Sequence, residues 1–172
     1  SASYYVVNSD FRIYECLQNG TDPENPNGKP SLDEPKFTDL EPRAAGSSGD
    51  GYIWKYLYTI KPGDIVKFES TDFIPTPLNW STNTEDAPVR GNAVDGSLKI
   101  ITITNRGVGL GTAGETYTGV PIKGDGTGAE CTIVMNAESK IGSIEVSNQG
   151  SGYTYGSVDL IAGGVPTGTT IP

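Results

Sequence analysis

Residues 49–60 read GDGYIWKYLYTI, and the spacing of their aromatics decides the fold class. Tyr52, Trp54, Tyr56 and Tyr58 fall at every second position. A period of two is that of a β-strand, whose side chains alternate between two faces. The pattern predicts the four aromatics on one face, with Ile60 returning to it. Ile53, Lys55, Leu57 and Thr59 then take the other face. Large apolar residues on both faces predict a central strand covered on both sides. Aromatic side chains in such a strand fill a core and carry tyrosine hydroxyls to an edge. Tyr52, Trp54, Tyr56, Leu57 and Tyr58 are therefore the candidate core and interface residues.

Upstream, Tyr4–Val7 is a short β-prone run, and Phe11, Ile13 and Cys16 mark a second. The NSD between them has the composition of a hairpin turn. Residues 18–50 are rich in Pro, Gly, Asn and Asp. They read as a long surface excursion pinned by Leu32, Phe37 and Leu40. Downstream, KPGD at 61–64 turns the chain, and IVKF and DFIP read as shorter strands. PTPLNWSTNTEDAP reads as irregular. No segment carries an apolar period of 3.6, so the chain is predicted to be mainly β throughout.

From residue 97 the sequence repeats. IITITNRGVGL at 100–110 aligns with SIEVSNQGSGY at 143–153. Ile101, Ile103, Asn105, Gly107 and Gly109 match Ile144, Val146, Asn148, Gly150 and Gly152. Each copy reads as a strand ending in Asn-x-Gly-x-Gly, a loop, and a second strand, GVPIKG or SVDLIAG. Repeats of this length signal a supersecondary unit copied side by side. The turn residues Asn105, Gly107, Gly109, Asn148, Gly150, Gly152 and Tyr153 are its candidate functional positions. A break near 88–96 predicts a β-sandwich-like antiparallel domain over 1–90. A Gly-rich β-repeat domain over 91–172 is predicted to follow, with copies near 98–135 and 141–172.

Composition excludes several chemistries. The 172 residues carry 21 acidic and 12 basic side chains, a net charge of −9. A nucleic-acid groove needs clustered Lys and Arg to neutralise phosphates, so no nucleic-acid or membrane partner is expected. No apolar run approaches the ~20 residues of a membrane-spanning helix. A start at Ser1 without methionine reads as a fragment of a longer chain. Histidine is absent, which removes Ser-His and Cys-His nucleophile arrangements and most zinc sites. Glu15, Asp50, Glu69, Asp72, Glu115 and Glu130 show no spacing that selects a catalytic pair. GVGLGTAG and GDGTGA are followed by strands rather than helices, against nucleotide binding. GDGTGAE and TDPENPNGK lack the spacing of known calcium loops. No cofactor, metal or catalytic residue is expected. Cys16 and Cys131 sit in apolar alternation and read as buried reduced thiols, a disulfide between them being left open.

The run GDGYIWKYL, then KPGD, then FIPTP, with FRIYECL upstream, resembles the baseplate wedge protein (gene product eight) of T-even-type contractile-tailed bacteriophages. The likeness covers roughly residues 4–80. NQGSGYT and GDGTGAE resemble instead the Gly-rich β repeats of tailed-phage structural proteins, marine ones included. The resemblance implies a virion structural protein of the tail baseplate, made in the host cytoplasm, rather than an enzyme. It implies a homodimer whose partners are other wedge subunits, with the aromatic strand as scaffold core. The competing reading is a receptor- or glycan-binding module of a tail or cell surface, with exposed Tyr153 and Tyr155 docking sugars. A cell-wall hydrolase acting through a carboxylate pair is the third reading, resting only on the general presence of such enzymes in phage tails.

Overall fold

A computed structural model describes residues 4–21 and 24–167. The protein is mainly β, with 33% strand against 7% helix, in two antiparallel sheets. Apart from residues 22–24, the chain divides into a compact unit up to Ala93 and another from Val94.

The first unit holds β1 (Tyr5–Val7), β2 (Arg12–Asn19), β3 (Tyr52–Thr59), α1 (Pro62–Phe68) and α2 (Ala87–Gly91). The sheet order is β1-β2-β3. The NSD turn forms as read. Asn8 accepts on Oδ1 from the amides of Asp10 and Arg12, and Phe11 closes the turn at φ 58. The central strand is β2, not the aromatic β3. On its outer side β3 gains the bridge to Arg43, with hydrogen bonds of 2.9 and 3.0 Å through Trp54.

Both faces of this sheet are covered, but the aromatics do not share one. Tyr14 lies opposite Tyr56 and Ile13 opposite Tyr58, so the register skips Leu57. One extra residue turns every following side chain to the other face. Tyr52, Trp54 and Tyr56 thus pack with Tyr14, Cys16, Phe37 and Ala45. Tyr58 and Ile60 pack on the opposite face with Ile13, Leu57, Ile65, Ile74 and Trp80.

The excursion before β3 is coil held by polar contacts. Phe37 meets the Tyr14 ring edge-on at 5.4 Å and accepts the Tyr14 hydroxyl on its carbonyl at 2.6 Å. The Leu40 carbonyl accepts from Lys55 Nζ. The Leu32 side chain is exposed and pins nothing; its amide donates to Asp50 instead. IVKF is not a strand but the body of α1. Pro62 in its first turn is pre-set for helix, Asp64 sits in the first turn and Lys67 in the last. DFIP is coil.

The second unit holds β4 (Thr116–Gly124), β5 (Thr127–Met135), β6 (Ile141–Ser151) and β7 (Gly156–Val158), in the order β6-β5-β4-β7. Its core centres on Leu110, Val120, Cys131 and Ile133, all at zero exposure. The strand expected over 100–105 does not form, and SVDLIAG contributes only Ser157 and Val158 to β7 before turning. The end of the second copy, 168–172, lies outside the described residues.

Candidate functional site

The GDGY opening is a structural clamp. Gly49 and Gly51 take φ of 65° and 82°, and a Cβ on Gly51 would lie 2.9 Å from the Gly20 Cα. Only glycine fits that approach. Between them Asp50 is buried and spends its carboxylate on main chain. Oδ1 accepts from the Tyr52 amide at 3.0 Å and Oδ2 from the Leu32 amide at 2.8 Å. This acid therefore ties the excursion to β3.

Tyr52 and Trp54 stack at 5.5 Å and 17°, and both are buried, as is Tyr58. Among the described residues the Trp54 Nε1–H has no hydrogen-bond partner. Tyr56 and Leu57 are half-buried. Tyr52 and Tyr58 donate their hydroxyls to the carbonyls of Lys29 and Pro75. The aromatic run is core, with its polar tips turned to the covering coil.

The Asn-x-Gly-x-Gly motif folds alike in both copies. Asn105 Oδ1 accepts from the Gly107 amide at 2.9 Å, and Asn148 Oδ1 from the Gly150 amide at 3.2 Å. Gly107, Gly109, Gly150 and Gly152 all take left-handed φ. The next residue turns into the core in each copy: Leu110 in one, Tyr153 in the other. Tyr153 is thus buried, not displayed. Its hydroxyl donates to the Ile122 carbonyl at 3.0 Å and accepts from the Ala129 amide at 3.3 Å, bridging β4 and β5. Tyr155 alone of the expected sugar-docking pair is exposed. Leu110 was not singled out by the sequence, although the repeat alignment places it opposite Tyr153.

Of the acids weighed for catalysis, Asp50 is committed as above; Glu15, Glu69 and Asp72 belong to the first unit and Glu115 and Glu130 to the second. In GDGTGAE, Asp125 accepts from the Thr154 hydroxyl and from the amides of Thr154 and Tyr155. Those bonds, the hydroxyl first, hold its carboxyl down at about 2. In TDPENPNGK, Asp22 and Pro23 lie outside the described residues. Among the described residues no cluster of three potential metal ligands occurs, and no helix is long and apolar enough to cross a membrane. Cys16 and Cys131 are both free and buried, and burial pushes the Cys131 thiol up to about 11.

Two features were not legible in sequence. The first is a row of outward apolar side chains. Val66 and Phe68 on α1, with Phe73 and Leu78 after it, are all exposed. Ile65, Ile74 and Trp80 from the same stretch point inward. The second is a cavity of about 480 Å³ in the second unit. It lies among residues 100–105, β7, Ile122, Ile144 and Leu160. The chain matches no protein-family model, no curated protein and no solved structure.

Proposed function

We propose that the protein is a structural subunit that works by protein–protein contact, as the resemblance to a phage baseplate wedge protein implies. The observation that carries this reading is the exposed row Val66, Phe68, Phe73 and Leu78. A single exposed apolar residue is ordinary, but such a run within one short stretch marks an interaction surface. Its partners are a second copy of the chain and neighbouring wedge subunits of the virion. The clamps that hold coil against the first sheet fit a scaffold, since they fix long loops in place without helices or further strands.

The test is sedimentation of the purified protein over a range of concentrations, alone and mixed with the tail proteins encoded beside it. Association is expected, and the combined variant V66S, F68S, F73S and L78S should abolish it while keeping its fold. A wild-type protein that stays monomeric and takes up none of those neighbours would overturn the reading.

A further inference from the structure

The cavity of the second unit has the borders of a missing strand. Residues 98–106 run antiparallel to β6 and are fastened to it at both ends. The Leu98 amide donates to the Gln149 carbonyl at 2.9 Å, and the Ile141 amide to the Arg106 carbonyl at 2.9 Å. The Lys99 ammonium adds a bond to Gln149 Oε1, and the Arg106 guanidinium bonds the carbonyls of Ile141 and Gly142. Between those ends, the main chain of Ile100–Thr104 makes no hydrogen bond among the described residues. The side chains still alternate as in a strand: Ile101 and Ile103 pack toward the core while Thr102 and Thr104 are exposed.

The facing border is β7, which among the described residues pairs on one side only, with β4. The Asp159 amide donates to the Pro121 carbonyl at 2.9 Å. Antiparallel alternation then directs the main chain of Ser157 to β4 and that of Gly156 and Val158 outward. Unpaired main-chain groups therefore border the cavity on two sides, over an aliphatic floor of Ile122, Ile144 and Leu160.

We propose that this cavity takes an extended, uncharged stretch of another polypeptide, laid as a strand along the outer edge of β7. Three observations carry it. Main-chain donors and acceptors left open at a sheet edge are satisfied by strand addition, with alternate side chains entering pockets. No ionisable side chain lines the cavity, so a charged segment would lose its hydration without compensation. Strand spacing, rise and sheet separation give roughly 160 Å³ per residue. The 480 Å³ therefore holds about three residues, the length of β7 itself. A small aliphatic molecule would fill the floor and leave the open main chain unpaired. The inference deepens the protein-contact reading by naming one kind of partner segment. If the apolar row drives association while the cavity stays empty, this inference falls and that reading stands.

The test uses the whole chain and the probe acetyl-Thr-Val-Thr-Ile-Thr-Val-amide, followed by calorimetry. Saturable one-to-one binding is expected. V158P removes an outward donor that β4 does not use and should weaken binding about tenfold or more. V158A keeps that donor and should stay within about threefold of wild type, an upper allowance for the lost side-chain contact. Amide hydrogen exchange of the wild-type protein needs no variant to fold: Ile100–Thr104, Gly156 and Val158 should gain protection when the peptide is added. Absent binding, equal binding by both variants, no gain in protection, or capture of decanoate in place of the peptide would each overturn the proposal.

Discussion

Single residues hold the first unit's coil in place, and Asp50 is the clearest. Its carboxylate is buried and satisfies two main-chain donors from different parts of the chain. Asp50→Ala leaves both without a partner, and an abandoned buried donor costs about 1–3 kcal/mol. Chemical denaturation should show a loss of about 2–4 kcal/mol in the first unit, on the same principle. Asp125 makes a different forecast. Its folded pKa of about 2 lies below the ordinary aspartate value of about 3.9. A depressed carboxyl stabilises the fold above its unfolded pKa, and that contribution is lost as pH falls through the folded one. The tie from Asp125 to Thr154 should therefore be intact at pH 4 and above and release near pH 2. A carbon-13 titration of the Asp125 carboxyl should report that low midpoint, and D125N should remove the transition. Neither role was legible beforehand. The sequence shows GDG twice, at 49–51 and 124–126, but not which distant amides its aspartate will meet.

At the scale of elements, the strands that alternate strongly were the readable ones. β2 and β3 appear where their apolar period predicted them, and β1 where the β-prone run Tyr4–Val7 did. What the period cannot show is an extra residue, because a bulge leaves the local alternation of types intact. YIWKYLYT reads as one uninterrupted ladder, yet Leu57 is skipped in the pairing and Tyr58 changes faces. Deleting Leu57 should remove the bulge while Tyr58 stays opposite Ile13, so Tyr58 and Ile60 keep their face and the first unit should still unfold cooperatively in a chemical denaturation curve. Leu57→Ala keeps the register and should cost about 1–2 kcal/mol at this half-buried site. The repeat shows the converse. Its turns were legible because Asn and Gly each meet a local demand of the chain. Its first strand was not, because whether 100–104 pairs depends on a neighbour far along the chain.

For the whole molecule, each unit closes its own core. Cys16 reports on the first and Cys131 on the second, and both are buried. At neutral pH neither thiol should react with an aromatic disulfide reagent in the native protein. On heating, the two should become reactive in separate transitions, resolved by peptide mapping of the labelled sites. Simultaneous labelling would mean that the units unfold as one. The two tryptophans add a practical corollary. Trp54 stacks on Tyr52 in the first unit's core, and Trp80 meets Tyr58 edge-on under the Arg90 guanidinium. The chain has no other indole, so its tryptophan fluorescence, excited selectively over tyrosine, originates entirely before residue 94. The repeat unit is optically silent in that channel. An emission melt of this protein records half of it, and a segment entering the cavity must bring its own fluorophore to be seen.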